Sequence, residues 1–280
     1  MTVNIRGTEF EENLKNGTGL EFYDLTHPWG LGVPCWPYFE DVSIWRLHTM
    51  ARSGVLTNRM TITMHSGTHM DAPAHVVEET PFMDEVPLPH FFGTGVVVSI
   101  PKKKWEVVTP EDLEAARPEI RPGDIVIVNT GWHQYYGDNN NYYGYSPGFY
   151  KEAGEWFVEK KVKLVGTDTQ ALDHPLATAI GPHGPGGEKG LLPRICAEYK
   201  QTTGRDVLED FPEWEPCHHI ILKAGICGVE NVGGDIDKIT GKRCTFAIFP
   251  WRWVKGDGCM VRVVAMMDPK GEYRIETGRG

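Results

Sequence analysis

Long apolar runs, paired-cysteine motifs, a surplus of cations and phosphate-cradling glycine loops are all missing from this chain of 280 residues. No uninterrupted apolar stretch approaches the length of a bilayer crossing, so no membrane span is expected. The opening residues carry no apolar core of the kind a secretory leader needs, and none is predicted. Lys and Arg number 28 against 38 Asp and Glu, a formal net charge of -10. Binding to nucleic acid needs the opposite balance, so it is not expected. The six cysteines stand at 35, 196, 217, 227, 244 and 259, and none forms C-x-x-C. Six thiols in a chain this long do not make a disulfide scaffold, and a reducing cytoplasm is the simpler expectation. No glycine fingerprint follows a strand candidate, which leaves dinucleotide binding without support. No G-x-S-x-G element offers a nucleophilic serine. Repeats and low-complexity tracts are also absent.

What is present suits one large core. The chain is 40% apolar and 24% charged, with 32 Gly and 20 Pro spread along it. That composition reads as a turn-rich, β-rich α/β domain. Short β-branched runs bounded by turn residues predict strands near 95–100, 124–129, 162–167, 219–224, 244–249 and 260–267. Thr109, followed by Pro110, Glu111 and Asp112, predicts a capped helix. Ser146-Pro147 predicts another, running to about residue 161. The stretch 138–145, rich in Asn and Tyr, reads as a lid or an oligomer contact.

The densest chemistry lies at His65-Ser66-Gly67-Thr68-His69-Met70-Asp71-Ala72-Pro73-Ala74-His75. Imidazoles and a carboxylate are the usual ligands of a borderline divalent metal such as zinc. Residues 65, 69, 71 and 75 share parity, so an extended segment would point them to one side. A helix would carry Asp71 well round the cylinder, and Gly67 and Pro73 disfavour one. The expectation is therefore an extended, turning segment that presents a ligand cluster to a pocket. A second cluster follows at Cys217-His218-His219, with an apolar run leading to Glu230. In an extended segment His218 and His219 would face opposite sides, so one of them would aim at the first cluster. A metal would also give Glu230 a reason to stand among apolar neighbours.

The first stretch has the form H-x-G-T-H-x-D-x-P-x-H and resembles the cyclase-like family of metal-dependent hydrolases, which includes bacterial kynurenine formamidases and isatin hydrolases. The opening Tyr23-Asp24-Leu25-Thr26-His27-Pro28, leading to Pro34-Cys35-Trp36-Pro37, is similar to that family's start. The resemblance implies a single α/β domain with a central mixed sheet flanked by helices, here over residues 20–280 behind an extension at 1–19. It implies His65, His69 and Asp71 as metal ligands and His75 as the catalytic histidine beside them. In the family's dinuclear members a His and a Glu twelve residues apart complete a second site, a separation that His218 and Glu230 share. One or two ions of zinc or manganese are expected on that basis. Trp36 is the candidate wall for a flat substrate, and His183, in a Gly/Pro loop, is a candidate to reach it. Asp168 and Asp173 fit a family frame in which either orients a histidine through its second N–H.

The implied activity is hydrolysis of an amide or lactam C–N bond, as in an N-formyl aryl amine or an isatin-like ring. A lactone hydrolase, a metal-dependent lyase or dehydratase, and a non-catalytic metal-binding module use the same ligands and stay open. The partner expected is a small-molecule substrate, with the protein assembled as a homo-oligomer.

Overall fold

A computed structural model describes residues 19–271; the expected extension at 1–19 lies outside them apart from Gly19. Four short buried runs, rich in Val and Ile, form the centre of the molecule. Strand β5 (Phe92–Ser99), β6 (Ile125–Asn129), β7 (Leu164–Thr167) and β8 (Cys227–Glu230) lie side by side and parallel. Every residue of β6, β7 and β8 is buried, as expected for parallel strands covered on both faces. Alternation then sorts the side chains. Val97, Ile127, Leu164 and Val229 enter one core with Met70 and Phe246. Val96, Val98, Val126, Val128 and Val165 enter the other, under Trp156, Phe157, Ile221 and Leu222.

Antiparallel strands extend this centre at both edges. On one side β9 (Lys242–Ala247), β11 (Val264–Met267) and β1 (Glu21–Asp24) follow β5. On the other, β4 (His69–Asp71) pairs with β8, and β10 (Gly258–Met260) pairs with β4. The result is one nine-stranded mixed sheet, in agreement with the expected α/β class. A separate hairpin, β2 (Ser43–His48) with β3 (Thr57–Thr61), stands off the body.

The Thr109 helix forms as its sequence dictates. Thr109 and Asp112 make a reciprocal capping box over Pro110–Ala115. Two expectations are corrected. Residues 219–224 are not a strand but belong to the helix Pro216–Lys223, with Cys217, His218, Ile221 and Leu222 on its buried face. The strand begins later, at Cys227. The second helix starts at Lys151, not at Ser146. The intervening residues form parallel bridges, Val107 with Gly148 and Phe149 with Asp173, which hold the chain extended until Tyr150. Residues 138–145 likewise belong to the body. Helix Asn140–Gly144 buries Tyr142 and Tyr143, and the Tyr142 hydroxyl donates to Asn231 Oδ1 at 2.6 Å.

Candidate active site

The register of β4 builds the centre of the site. His69 and Asp71 are two residues apart on one strand and so share a face. Glu230 lies directly opposite His69 on β8. Asp71 has glycine on both sides across the sheet, Gly228 on β8 and Gly258 on β10. Neither position has room for a side chain. A Cβ on Gly258 would meet His65 Cε1 at 2.4 Å, and one on Gly228 would meet Leu172 at 2.4 Å. Glycine at 258 leaves room for the His65 ring, and glycine at 228 leaves room for Leu172.

Three further histidines arrive by other routes. His65 precedes the strand and reaches Asp71 Oδ1 with Nδ1 at 2.8 Å. His75 is not on the strand face that shared parity predicted. The extended run stops at Asp71, and Pro73–His75 form a 3-10 turn that folds the ring back. It stacks on His65 with centroids 4.0 Å apart and lies 6.4 Å from the His218 ring. His218 comes from the first turn of helix Pro216–Lys223. Its neighbour His219 points elsewhere, with Nδ1 on the Glu215 carbonyl at 2.9 Å.

Whether this donor set fits a cation is decided by two ring orientations. His69 Nδ1 lies 2.9 Å from the Gly67 carbonyl, which can only accept, so this nitrogen carries the proton. His69 Nε2 then faces Asp71 Oδ1 and Glu230 Oε2, each at 3.4 Å. His218 repeats the pattern. Its Nδ1 donates to Asp173 Oδ2 at 2.6 Å, while Nε2 faces Glu230 Oε1 at 3.0 Å and Asp71 Oδ2 at 3.6 Å. In the neutral tautomers lone pairs confront carboxylate oxygens, an arrangement that repels unless a proton or a metal stands between them. Asp71 Oδ2 is buried with no hydrogen-bond partner among the described residues. Ligand atoms of His65, His69 and Asp71 lie within 4.8 Å of one another, as do those of Asp71, His218 and Glu230. Asp71 belongs to both sets. Three imidazoles and two carboxylates so placed fit one or two divalent cations.

Protons hold the cluster together otherwise. Burial opposes charging His65, but the Asp257 and Asp71 carboxylates outweigh it and carry its pKa up to about 10. His218 is raised in the same way against burial, by Asp173, Asp71 and Glu230. Asp71 is held well below the usual carboxylate range by His69, His218 and His65, despite its burial. A cation displaces such protons. His75 behaves differently. Burial lowers it to about 3, so its ring is uncharged at physiological pH.

Above the cluster opens a cavity of about 230 Å³, walled by Trp36, Tyr38, Phe39, Trp214 and Pro185. Trp36 lines this cavity. His183 does not face the cavity. Its Nε2 lies 2.8 Å from the Phe211 carbonyl, and the loop it opens contributes Pro185 instead. Asp173 and Asp168 each accept from a histidine, His218 and His133 respectively. Several contributors had no signal in the sequence. Asp257, in a Gly-Asp-Gly turn, meets His65 Nε2 at 3.0 Å from 192 residues away. Glu215 and Trp214 precede the helix and line the cavity. Glu215 is pushed up to about 7, chiefly by burial and then by Asp173 and Glu230, with His218 and Trp214 opposing.

A family model described as "Putative cyclase" matches residues 23–174, more than half of the chain. The chain belongs to this cyclase family. The matched segment of the cyclase chain holds His65, His69, Asp71 and His75 and stops short of His218 and Glu230. Among related sequences, a kynurenine formamidase of Erythrobacter litoralis is 29% identical over 162 residues, 58% of this chain and 71% of that protein. Among solved structures, an isatin hydrolase A from Ralstonia solanacearum superposes with a TM-score of 0.69 at 20% identity, covering 95% of this chain and 100% of the other. A potential metal-dependent hydrolase with cyclase activity gives 0.62 at 18% identity, over 88% and 98%. These two structures establish a shared fold.

Proposed function

We propose that this cyclase-family chain is a metal-dependent amidohydrolase that opens the C–N bond of a small aryl amide or lactam. The observation that carries the reading is the paired orientation of His69 and His218. Both commit Nδ1 to an acceptor and turn Nε2 onto the same two carboxylates. Held histidines of this kind are how proteins present nitrogen ligands. His65, His69 and Asp71 would hold one ion, and Asp71, His218 and Glu230 a second; zinc and manganese both suit the donors. Such an ion lowers the pKa of a bound water toward 7 and polarises the substrate carbonyl.

The chain's own groups supply the rest. His75 stands at the edge of the cluster, its ring stacked on His65, placed to accept a proton from the attacking water at a ring nitrogen. The same nitrogen returns that proton to the leaving nitrogen as the C–N bond breaks. Trp36, Phe39 and Trp214 give a flat substrate aromatic faces and keep bulk water off the scissile bond. The similarity to a kynurenine formamidase and the fold shared with isatin hydrolases support N-formyl aryl amines and isatin-like lactams as the substrates. A homo-oligomer is part of the proposal, because the β2–β3 hairpin leaves Trp45, Leu47 and Met60 about half exposed.

The test is turnover of a panel of N-formyl aryl amines, isatin-like lactams and aryl lactones, with chelator-treated protein and after addition of zinc or manganese. Metal-restored cleavage of the amide or lactam members is the expected result. Cleavage of lactones alone moves the chain to ester chemistry, and activity unaffected by chelation overturns the proposal.

A further inference from the structure

The cavity wall that faces the substrate has a charge character of its own. Among the described residues lining it, none is Lys or Arg, and the acidic side chains are Glu230, bound up in the cluster, and Glu215. Glu215 is held there at a conformational cost. Its backbone is left-handed, φ 45° and ψ 47°, a region that side-chain-bearing residues seldom occupy. The strain is enforced from both sides. Its N–H donates to the Ala177 carbonyl at 2.8 Å, and its own carbonyl accepts from His219 N at 3.1 Å and Nδ1 at 2.9 Å. Gly184 and Trp214 complete the frame. A Cβ on Gly184 would come within 2.7 Å of the Trp214 indole, so glycine there lets the ring lie against the loop beside Glu215. On the same cavity Gln170 is 2% exposed, and its Oε1 is buried with no hydrogen-bond partner among the described residues. As placed, this oxygen is an acceptor that no donor among the described residues meets.

We propose that Glu215 is a specificity-determining residue which, with Gln170, recognises a nitrogen-borne N–H group, an ammonium in preference to a neutral N–H, on an aromatic substrate. The inference rests on this cavity being the substrate site. It defines a substrate class, aryl amides or lactams that carry a basic nitrogen. The wall offers no Lys or Arg, whereas an ammonium finds Glu215 beside the faces of Trp214 and Trp36, which attract cations as well.

Binding and turnover test it separately. Calorimetric titration of the metal-loaded protein with 1-naphthylmethylamine and 1-methylnaphthalene, which contain no cleavable bond, compares an ammonium with an apolar group on one ring. The ammonium should bind at least about tenfold more tightly, and both Glu215→Gln and Glu215→Gly should reduce that ratio to about threefold or less. Glu215→Gly relieves the left-handed backbone, so loss of the ratio in that variant is not a folding defect. The trimethylammonium analogue and indole separate charge from N–H donation; indole outranking the ammonium overturns the stated preference. For turnover, Glu215→Gln should lower the ratio of kcat/KM for an aminomethyl formanilide to that for the methyl formanilide by at least about threefold. Equal binding of the two naphthyl probes by the wild type, or an unchanged ratio in both variants, overturns the proposal. Selective binding without turnover of any amide keeps Glu215 in this role and overturns the hydrolase reading instead.

Discussion

Asp173 is where folding and chemistry meet, and its replacement by asparagine is the most demanding prediction of this structure. The carboxylate is fully buried and accepts three hydrogen bonds: from Cys217 N at 2.9 Å, from His218 N at 2.9 Å and from His218 Nδ1 at 2.6 Å. Asparagine keeps the shape but puts an NH2 where one oxygen stood. In either orientation that NH2 confronts at least one of these N–H donors. Weakening charge-assisted bonds and leaving a buried donor unpaired costs on the order of 3–5 kcal/mol. In a chain of this size that corresponds to a fall in melting temperature of about 6–20 °C. The imidazole also loses the acceptor that fixes its tautomer, which typically weakens a metal site by about 10–100-fold. Scanning calorimetry of chelator-treated Asp173→Asn protein reads the first effect, and metal titration followed by elemental analysis reads the second. A double-mutant cycle with His218→Ala should return a coupling of at least about 1.5 kcal/mol. Melting within about 2 °C of the wild type together with unchanged metal affinity would refute the reasoning.

Three other outcomes follow from the same geometry. His75→Ala should retain its metal by elemental analysis but lose about 10²–10⁴-fold in turnover; an emptied site would make His75 a ligand. Metal titration of Glu230→Gln should show a fall from two bound ions to one, since the amide keeps the Leu172 N–H acceptor but loses the charge facing His69 and His218; one ion in both proteins would confine Glu230 to orienting its neighbours. His133 lies between Asp168 at 3.0 Å and Asp237 at 3.2 Å, near His27, and these carboxylates raise its pKa against the effect of burial. A raised histidine contributes stability fully below its ordinary pKa near 6.5 and loses it as pH rises through the raised value. Asp237 is largely exposed, so Asp237→Asn should cost about 0.5–1 kcal/mol at pH 6, fading in alkali. A pH-independent difference in chemical denaturation would contradict that assignment.

How much of this was legible in the sequence depends on how far apart the cooperating residues lie. His69 and Asp71 needed nothing beyond strand alternation, and the glycine and proline near them announced turns. The position of His75 was not legible from parity, because the turn at Pro73 begins immediately after the strand. Trp36 was legible through its resemblance alone, since an indole in a Pro-rich loop carries no periodic signal. Asp257, Glu215 and Trp214 left no trace, since the sheet and helix packing that bring them to the cavity involve segments far apart in the chain. His183 shows the reverse failure. A histidine in a Gly/Pro loop invites a functional reading, yet here its ring bonds to Phe211 and steadies the loop.

The helix at Pro216–Lys223 shows why the spacing of the second cluster is legible in the sequence while its secondary structure is not. Ile220-Ile221-Leu222 is too short and too apolar for periodicity to separate a strand from a buried helix. What decides the matter lies elsewhere in the chain. Asp173 accepts the first free N–H groups of the helix, from Cys217 and His218, and so satisfies donors that a strand would have paired with a neighbour. Pro216 at the first helical position needs no such partner. Once that cap is set, His218 sits in the first turn, above the carboxylate that fixed it, and the same oxygen receives its Nδ1 proton. The twelve-residue separation of His218 and Glu230 is then the length of a short helix, a turn at Gly225 and a four-residue strand. The spacing holds for either secondary structure, because it measures the distance the chain must cover between two ligands, and helix, turn and strand cover it together.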